Sequence, residues 1–185
     1  MAEALRGTYV LVDGENIDAT LGTMLGRRPR PDDRPRWERL LQFANDRWGQ
    51  QTNGLFFLAA NNELPMTFVQ ALVALGYRPI PLSGEAGEKV VDIAIQRTLA
   101  ELSRRDADVL LVSNDGDFVE QVGDLLDGRR VGIVGFVEFR NSAFTQLAER
   151  GLTSFDLEYD VRAFNDQLPR VRIIPIDEFD PVQFL

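Results

Sequence analysis

Six short apolar runs, separated by stretches with helical spacing, limit what this chain can fold into. The runs are "TYVLVDG" (8–14), "GLFFLAAN" (54–61), "RPIPLSG" (78–84), "ADVLLVSND" (107–115), "RRVGIVGF" (129–136) and "LTSFDLE" (152–158). Helices are predicted between them: "NIDATLGTML" with Asn16 as N-cap, "WERLLQFANDRWG" with Trp37, Leu40, Leu41, Ala44 and Trp48 on one face, and "ELPMTFVQALVALGY" ending at Gly76. Three more follow in "GEKVVDIAIQRTLAELSRR", "DFVEQVGDLLDG" with its stop at Gly128, and "NSAFTQLAERG". Strands that alternate with helices imply a parallel sheet covered on both faces, wound through right-handed crossovers. The predicted fold is therefore α/β, a three-layer α/β/α sandwich with a mainly parallel central sheet. The prolines of "RPIPLSG" place that strand near an edge. In such sheets ligands gather beyond the carboxyl ends of the strands, where strand order reverses.

Composition narrows the chemistry. The chain has no cysteine and no histidine. Disulfides, thiolate metal sites, His-based triads, His-ligated zinc and His general bases are all excluded. A metal could be held only by oxygen, which selects a hard cation. The net charge of −9 argues against a nonspecific coat on nucleic acid. No stretch approaches the roughly 20 apolar residues of a membrane span, and "MAEALRG" lacks the order of a leader. A cytoplasmic protein without membrane contact is expected. The 185 residues suit one domain, placed at 1–160, with an extension at 161–185. That extension would add an edge strand, pack on its own domain, or cross to a second copy in a homodimer.

Acids mark two strand ends: Asp13 closes "YVLVD", and Asp115 closes "VLLVSND" with Asp117 just beyond. Asp92 interrupts the apolar "KVVDIAI" near a helix start. If the two strands are neighbours, these carboxylates share one crevice. Two unit charges about 5 Å apart repel by roughly 3 kcal/mol at an effective dielectric near 20. A divalent cation reverses that sign. Each acid also has a plain structural reading. Asp117 with Glu120 matches a capping box, Asp92 can pair with Lys89 one turn earlier, and Asp13 before Gly14 can be a turn residue. Capping and metal binding by one Asp are compatible.

Three segments, "VDGENI" (12–17), "KVVDIAI" (89–95) and "LLVSNDGDF" (110–118), together resemble the motifs of the NYN domain family of PIN-like nucleases. The resemblance runs over roughly residues 8–157 and keeps the family's order. It implies a PIN-like sandwich, Mg²⁺ or Mn²⁺ dependence and ribonuclease activity. The matching residues are Asp13 and Asn16, then Asp92, then Ser113, Asp115 and Asp117. Two departures stand out: Val90 and Val91 replace the usual Lys-Gly spacing before the second acid, and Asn114 and Gly116 stand where Gly and Ser are common. No acid is lost. The resemblance thus implies RNA hydrolysis through a four-aspartate Mg²⁺ or Mn²⁺ site, with Asn16 positioning a water or the phosphate.

A polyanion needs a local positive path on an acidic protein. The predicted contacts with RNA, taken as single-stranded, are Arg27, Arg28 and Arg30 of "GRRPRPDDRPRWER", with Lys89, Ser113 and Asn114 beside the acids. The competing reading pairs the arginines with Asp32, Asp33 and Glu38, and puts Trp37 in the core. Two other functions fit the residues less fully. One is a non-catalytic RNA-binding or scaffold protein. The other is a haloacid-dehalogenase-like phosphatase with Asp13 as nucleophile, for which Glu15 stands where an Asp is needed.

Overall fold

The computed structural model describes residues 6–61 and 63–185; residues 1–5, part of the stretch read above as carrying no leader, lie outside them. Six parallel strands form one sheet in the order β3-β2-β1-β4-β5-β6: β1 (Gly7–Asp13), β2 (Thr52–Ala59), β3 (Tyr77–Leu82), β4 (Ala107–Val112), β5 (Val131–Gly135) and β6 (Thr153–Asp156). The proline-bearing β3 is an edge strand, as its missing N–H donors require. The helices are α1 (Gly14–Leu25), α2 (Trp37–Trp48), α3 (Met66–Leu75), α4 (Val90–Leu102), α5 (Val119–Asp124) and α6 (Ala143–Leu147). Among the described residues, no helix is long and apolar enough to cross a membrane.

Strand alternation sorts the core into two layers. On one face Val10, Val12, Phe56, Leu110 and Val112 pack with Ile17 and Leu21 of α1, Trp37 and Leu40 of α2, and Leu72 of α3. On the other, Leu11, Phe57, Val109, Leu111 and Ile133 pack with Ile95 and Leu99 of α4, Val122 of α5, and Phe144 of α6. All six β4 residues are buried, which explains why "ADVLLV" reads as one apolar run rather than an alternation. The three-layer sandwich is the predicted one.

The winding sets the site. From β1 the chain steps outward through β2 to β3 on one face, then α4 carries it back across to β4 on the far side of β1. Strand order reverses between β1 and β4, whose registers pair Val12 with Val112. Their carboxyl ends therefore open a crevice at the point where doubly wound sheets bind ligands.

Several local expectations are corrected. Helix α1 begins at Gly14, and the Asp13 carboxylate, not Asn16, caps it by accepting the Asn16 N–H at 3.4 Å. Asp117 and Glu120 form no capping box. A 3-10 turn at Gly116–Phe118 precedes α5, and Asp115 caps that turn by accepting the Asp117 N–H at 2.9 Å. Helix α5 ends at Asp124, before the predicted stop at Gly128.

The C-terminal stretch behaves as two parts. Val161, Ala163 and Leu168 join the first core layer, and Arg170 is enclosed by Glu138, Asp156 and Glu158. Residues 171–185 form no edge strand; two 3-10 turns, Ile176–Glu178 and Pro181–Phe184, are their only regular structure. Val171 and Ile173 are more than nine-tenths exposed, so these two side chains do not pack on their own domain.

Candidate metal centre

Asp13, Asp92 and Asp115 come together from three elements. Asp13 is the last residue of β1, Asp115 follows β4, and Asp92 stands in the first turn of α4. Each offers one carboxylate oxygen, and the three oxygens lie within 4.8 Å of one another. Asp117 does not join them. The 3-10 turn carries its half-exposed side chain away, to 3.8 Å from the Lys89 ammonium. Lys89 thus pairs across the crevice with Asp117 rather than with Asp92. The acid cluster has three members where four were predicted.

Asp13 is only 2% exposed. Burial pushes its carboxyl up from 3.8 to about 6, against the opposing hydrogen bonds, with the charges of Asp92 and Asp115 adding to the rise. Asp92 is also raised, by burial first and then by Asp115. These groups resist ionisation because burial, with the neighbouring carboxylates adding to it, outweighs the hydrogen bonds to Asp13 and the nearby Lys89 charge. All donors are hard oxygens. Ligands about 2.1 Å from one Mg²⁺ lie at most about 4.2 Å apart, which a small side-chain rotation would reach from the observed spacing. The residues fit a Mg²⁺- or Mn²⁺-sized cation.

A family model described as the NYN domain matches residues 7–154. The chain belongs to the NYN domain family. Among solved structures, a protein of unknown function from Vibrio parahaemolyticus resembles this NYN chain with a TM-score of 0.62 at 16% identity. The match covers 84% of this chain and 96% of that one. At that identity the likeness is one of fold. No curated protein matches the chain.

Behind the three acids of this NYN domain lies a closed hydrogen-bond lattice. The Ser113 hydroxyl donates to Asp13 at 2.9 Å and accepts the Asp115 N–H at 3.1 Å, so one buried hydroxyl ties both carboxylate-bearing strands. Asn16 accepts the Asn114 N–H at 2.8 Å, and the Asn114 side chain accepts the Phe136 N–H at 2.8 Å. Ser113 is fully buried and Asn114 nearly so. Both were predicted to contact nucleic acid. Their polar atoms are instead committed inward, as supports of Asp13 and Asn16.

The departure from the family pattern at Gly116 also has a physical reason. A Cβ there would collide with the Asn141 side chain. Asn141 in turn donates its N–H to the Asn114 carbonyl at 3.3 Å and accepts the Ala143 N–H at 2.9 Å, opening α6. Gly135 makes similar room for the Asn114 amide. Val90 and Val91, the other departure, are buried in the second core layer, which fixes the start of α4 and with it Asp92.

The arginine loop is mostly internally paired. Arg27 holds Asp33 with contacts of 2.6 and 3.1 Å, and Arg34 grips Asp18 through two contacts of 2.8 Å. The Arg30 N–H is also taken by Asp33, and Trp37 is buried. Arg28 and Arg30 differ: both are exposed, and among the described residues no acceptor engages either guanidinium. The nuclease reading of the sequence gave Glu15 no part beside the acids, yet it is exposed and lines the same crevice as Asp13, Lys89, Asp92 and Asp115. Its place beside Asp13 in "VDGEN" was the available signal.

The cluster's electrostatics give a measurable consequence. Asp13 binds its proton more tightly folded than unfolded. In the metal-free protein its contribution favours the fold below pH about 3.8 and is lost as pH rises through about 6, an effect of roughly 3 kcal/mol. A cation needs the ionised carboxylate, so its effect has the opposite trend. Mg²⁺ or Mn²⁺ at about 100 times its dissociation constant is expected to stabilise the protein by about 2.7 kcal/mol at pH 7.5, and far less at pH 5. Thermal melts with and without cation between these pH values test this. A cation-induced shift equal at both ends would remove Asp13 from the binding site.

Proposed function

We propose that this NYN domain is a metal-dependent ribonuclease. The observation that carries the reading is the convergence of Asp13, Asp92 and Asp115 at the strand-order reversal, with burial opposing the charge on Asp13. Asp13, Asp92 and Asp115 would hold Mg²⁺ or Mn²⁺ directly or through water. A cation there would supply positive charge to the scissile phosphodiester and ease deprotonation of the attacking water.

The remaining work falls to the chain itself. Ser113 fixes the Asp13 carboxylate, so the site is set before substrate arrives. Lys89 is three-quarters exposed at the lip of the crevice and gives a phosphate its nearest cationic contact. The Asn16 side-chain oxygen accepts the Asn114 N–H, which leaves its side-chain NH2 as a donor toward the crevice. With no histidine in the chain, general-base work by an imidazole does not arise. RNA is the proposed substrate because the family resemblance implies it.

The test is cleavage of labelled single-stranded RNA in Mn²⁺, in Mg²⁺ and in chelator, beside Asp115→Asn. Cutting that needs the cation and disappears in the variant is expected. Cutting that persists in chelator would overturn the reading. RNA binding without turnover under every cation condition would move the protein to a binding role.

A further inference from the structure

A second cleft adjoins the acids, and nothing in the chemistry of hydrolysis explains it. It has a volume of about 420 Å³ and lies between the start of α1, the end of β2 and the start of α3. Ligand sites commonly have this size. Glu15 and Ala59 line both this cleft and the carboxylate crevice, so the two adjoin across a shared wall.

Its lining is aromatic below and cationic at the side. Phe56 forms the floor with its ring edge-on to Trp37 at 5.1 Å and to Phe68 at 5.4 Å. That floor depends on Gly14: a Cβ there would lie 2.7 Å from the Phe56 ring. Phe68 is half-buried and leaves part of its ring open. Arg34, held by its two-pronged grip on Asp18, lines the same cleft, and the exposed Arg28 beside it has no protein partner among the described residues.

From these features, and resting on the ribonuclease reading, we propose that this cleft receives one unpaired base of an RNA strand whose neighbouring phosphate lies at the carboxylates. The aromatic surface of Phe68 and the planar Arg34 guanidinium suit the flat face of a base, and Arg28 suits the adjoining phosphate. A paired base cannot leave its stack without cost, so the cleft selects single-stranded substrate. Of the arginines predicted to contact RNA, only Arg28 is placed to do so here.

The experiment uses Asp13→Asn as the parent, to suppress cutting. It measures binding of a short single-stranded oligoribonucleotide bearing 2-aminopurine in Mg²⁺, with the matching duplex as comparison. Binding is expected to quench the probe's fluorescence, and the duplex to bind more weakly. Phe68→Ala and Arg28→Ala, each on the parent, should each weaken single-strand binding by about tenfold. Arg28 is exposed, so its variant tests the cleft even if Phe68→Ala is unstable. Unchanged affinity and quenching in both folded variants would overturn the base site, whether or not the wild type cuts RNA. Quenching lost in the variants, from a wild type that never cuts with either cation, would support the cleft while removing the nuclease.

Discussion

Asp13→Asn is expected to lower cation-dependent RNA cleavage by about a thousandfold or more while the protein stays folded. The loss follows from the charge. Asn keeps the shape of Asp but has one acceptor oxygen, so it can keep the bond from the Asn16 N–H while its amide group donates to the Ser113 oxygen, and the oxygen it presents is neutral. The positive charge delivered to a phosphodiester by a bound ion contributes several kcal/mol, and each 1.36 kcal/mol is a factor of ten in rate. The fold should not suffer, because burial disfavours the Asp13 anion in the metal-free state. At pH 7.5 and without cation, the variant should melt at the wild-type temperature or above it. A matched pair of measurements, initial cleavage rate and metal-free melting temperature, checks both halves. Cleavage at the wild-type rate would sink the assignment. A lower metal-free melting temperature would show that the bonds from Asn16 and Ser113 to the two carboxylate oxygens outweigh the cost of burying the charge.

Arg170→Ala should cost about 3–5 kcal/mol of stability, close to the upper end for a single substitution. The Arg170 side chain is 2% exposed. It reaches Glu138 at 2.6 and 2.8 Å, Asp156 at 2.6 and 2.8 Å, and Glu158 at 3.2 Å. Its guanidinium also lies over the Tyr159 ring at 4.2 Å. Removing it strands three largely buried carboxylates at the carboxyl ends of β5 and β6. For a protein of this size the loss corresponds to a fall in melting temperature of roughly 10 °C. Arg170→Lys keeps the charge but loses the planar fork, so it should recover only part of the loss. Burial alone would raise the Asp156 carboxyl, but Arg170 outweighs burial and holds it below its usual range. That stabilisation is present above pH about 4 and is lost as pH falls further. Melts of wild type and Arg170→Ala should therefore converge at low pH. A difference that persists undiminished at pH 3 would assign the effect to lost packing rather than to the ion cluster.

Much of the frame was legible because it is encoded locally. Alternating short apolar runs and helical faces gave the three-layer α/β/α sandwich, and the prolines of "RPIPLSG" gave an edge strand. Asp13 and Asp115 were visible as acids at strand ends, and the absence of histidine and cysteine restricted any metal to oxygen ligands. Each of these depends on a residue's own chemistry or on neighbours within a few positions.

What the sequence left open depended on contacts between distant segments. The placement of β1 beside β4, which brings Asp13 and Asp115 together, follows from the crossing of α4 between sheet faces. Asp117 sits two residues beyond Asp115, yet the 3-10 turn capped by Asp115 sends its side chain to Lys89, so a fourth acid in the motif is not a fourth acid in the cluster. Asn16 has the composition of a cap, but Asp13 takes that place because α1 starts directly at the strand end. Arg27 and Arg34 look alike beside Arg28 in sequence; only the positions of Asp33 and Asp18 neutralise the first two and leave Arg28 free for a ligand. Arg170, in a stretch that carries no motif, becomes the centre of an ion cluster because β5 and β6 end beside it. Local pattern determined which elements form and which residue types could do the chemistry. Tertiary packing decided which of those residues meet, since the free energy of a buried charge depends on partners distant in sequence, as Ser113 is from Asp13.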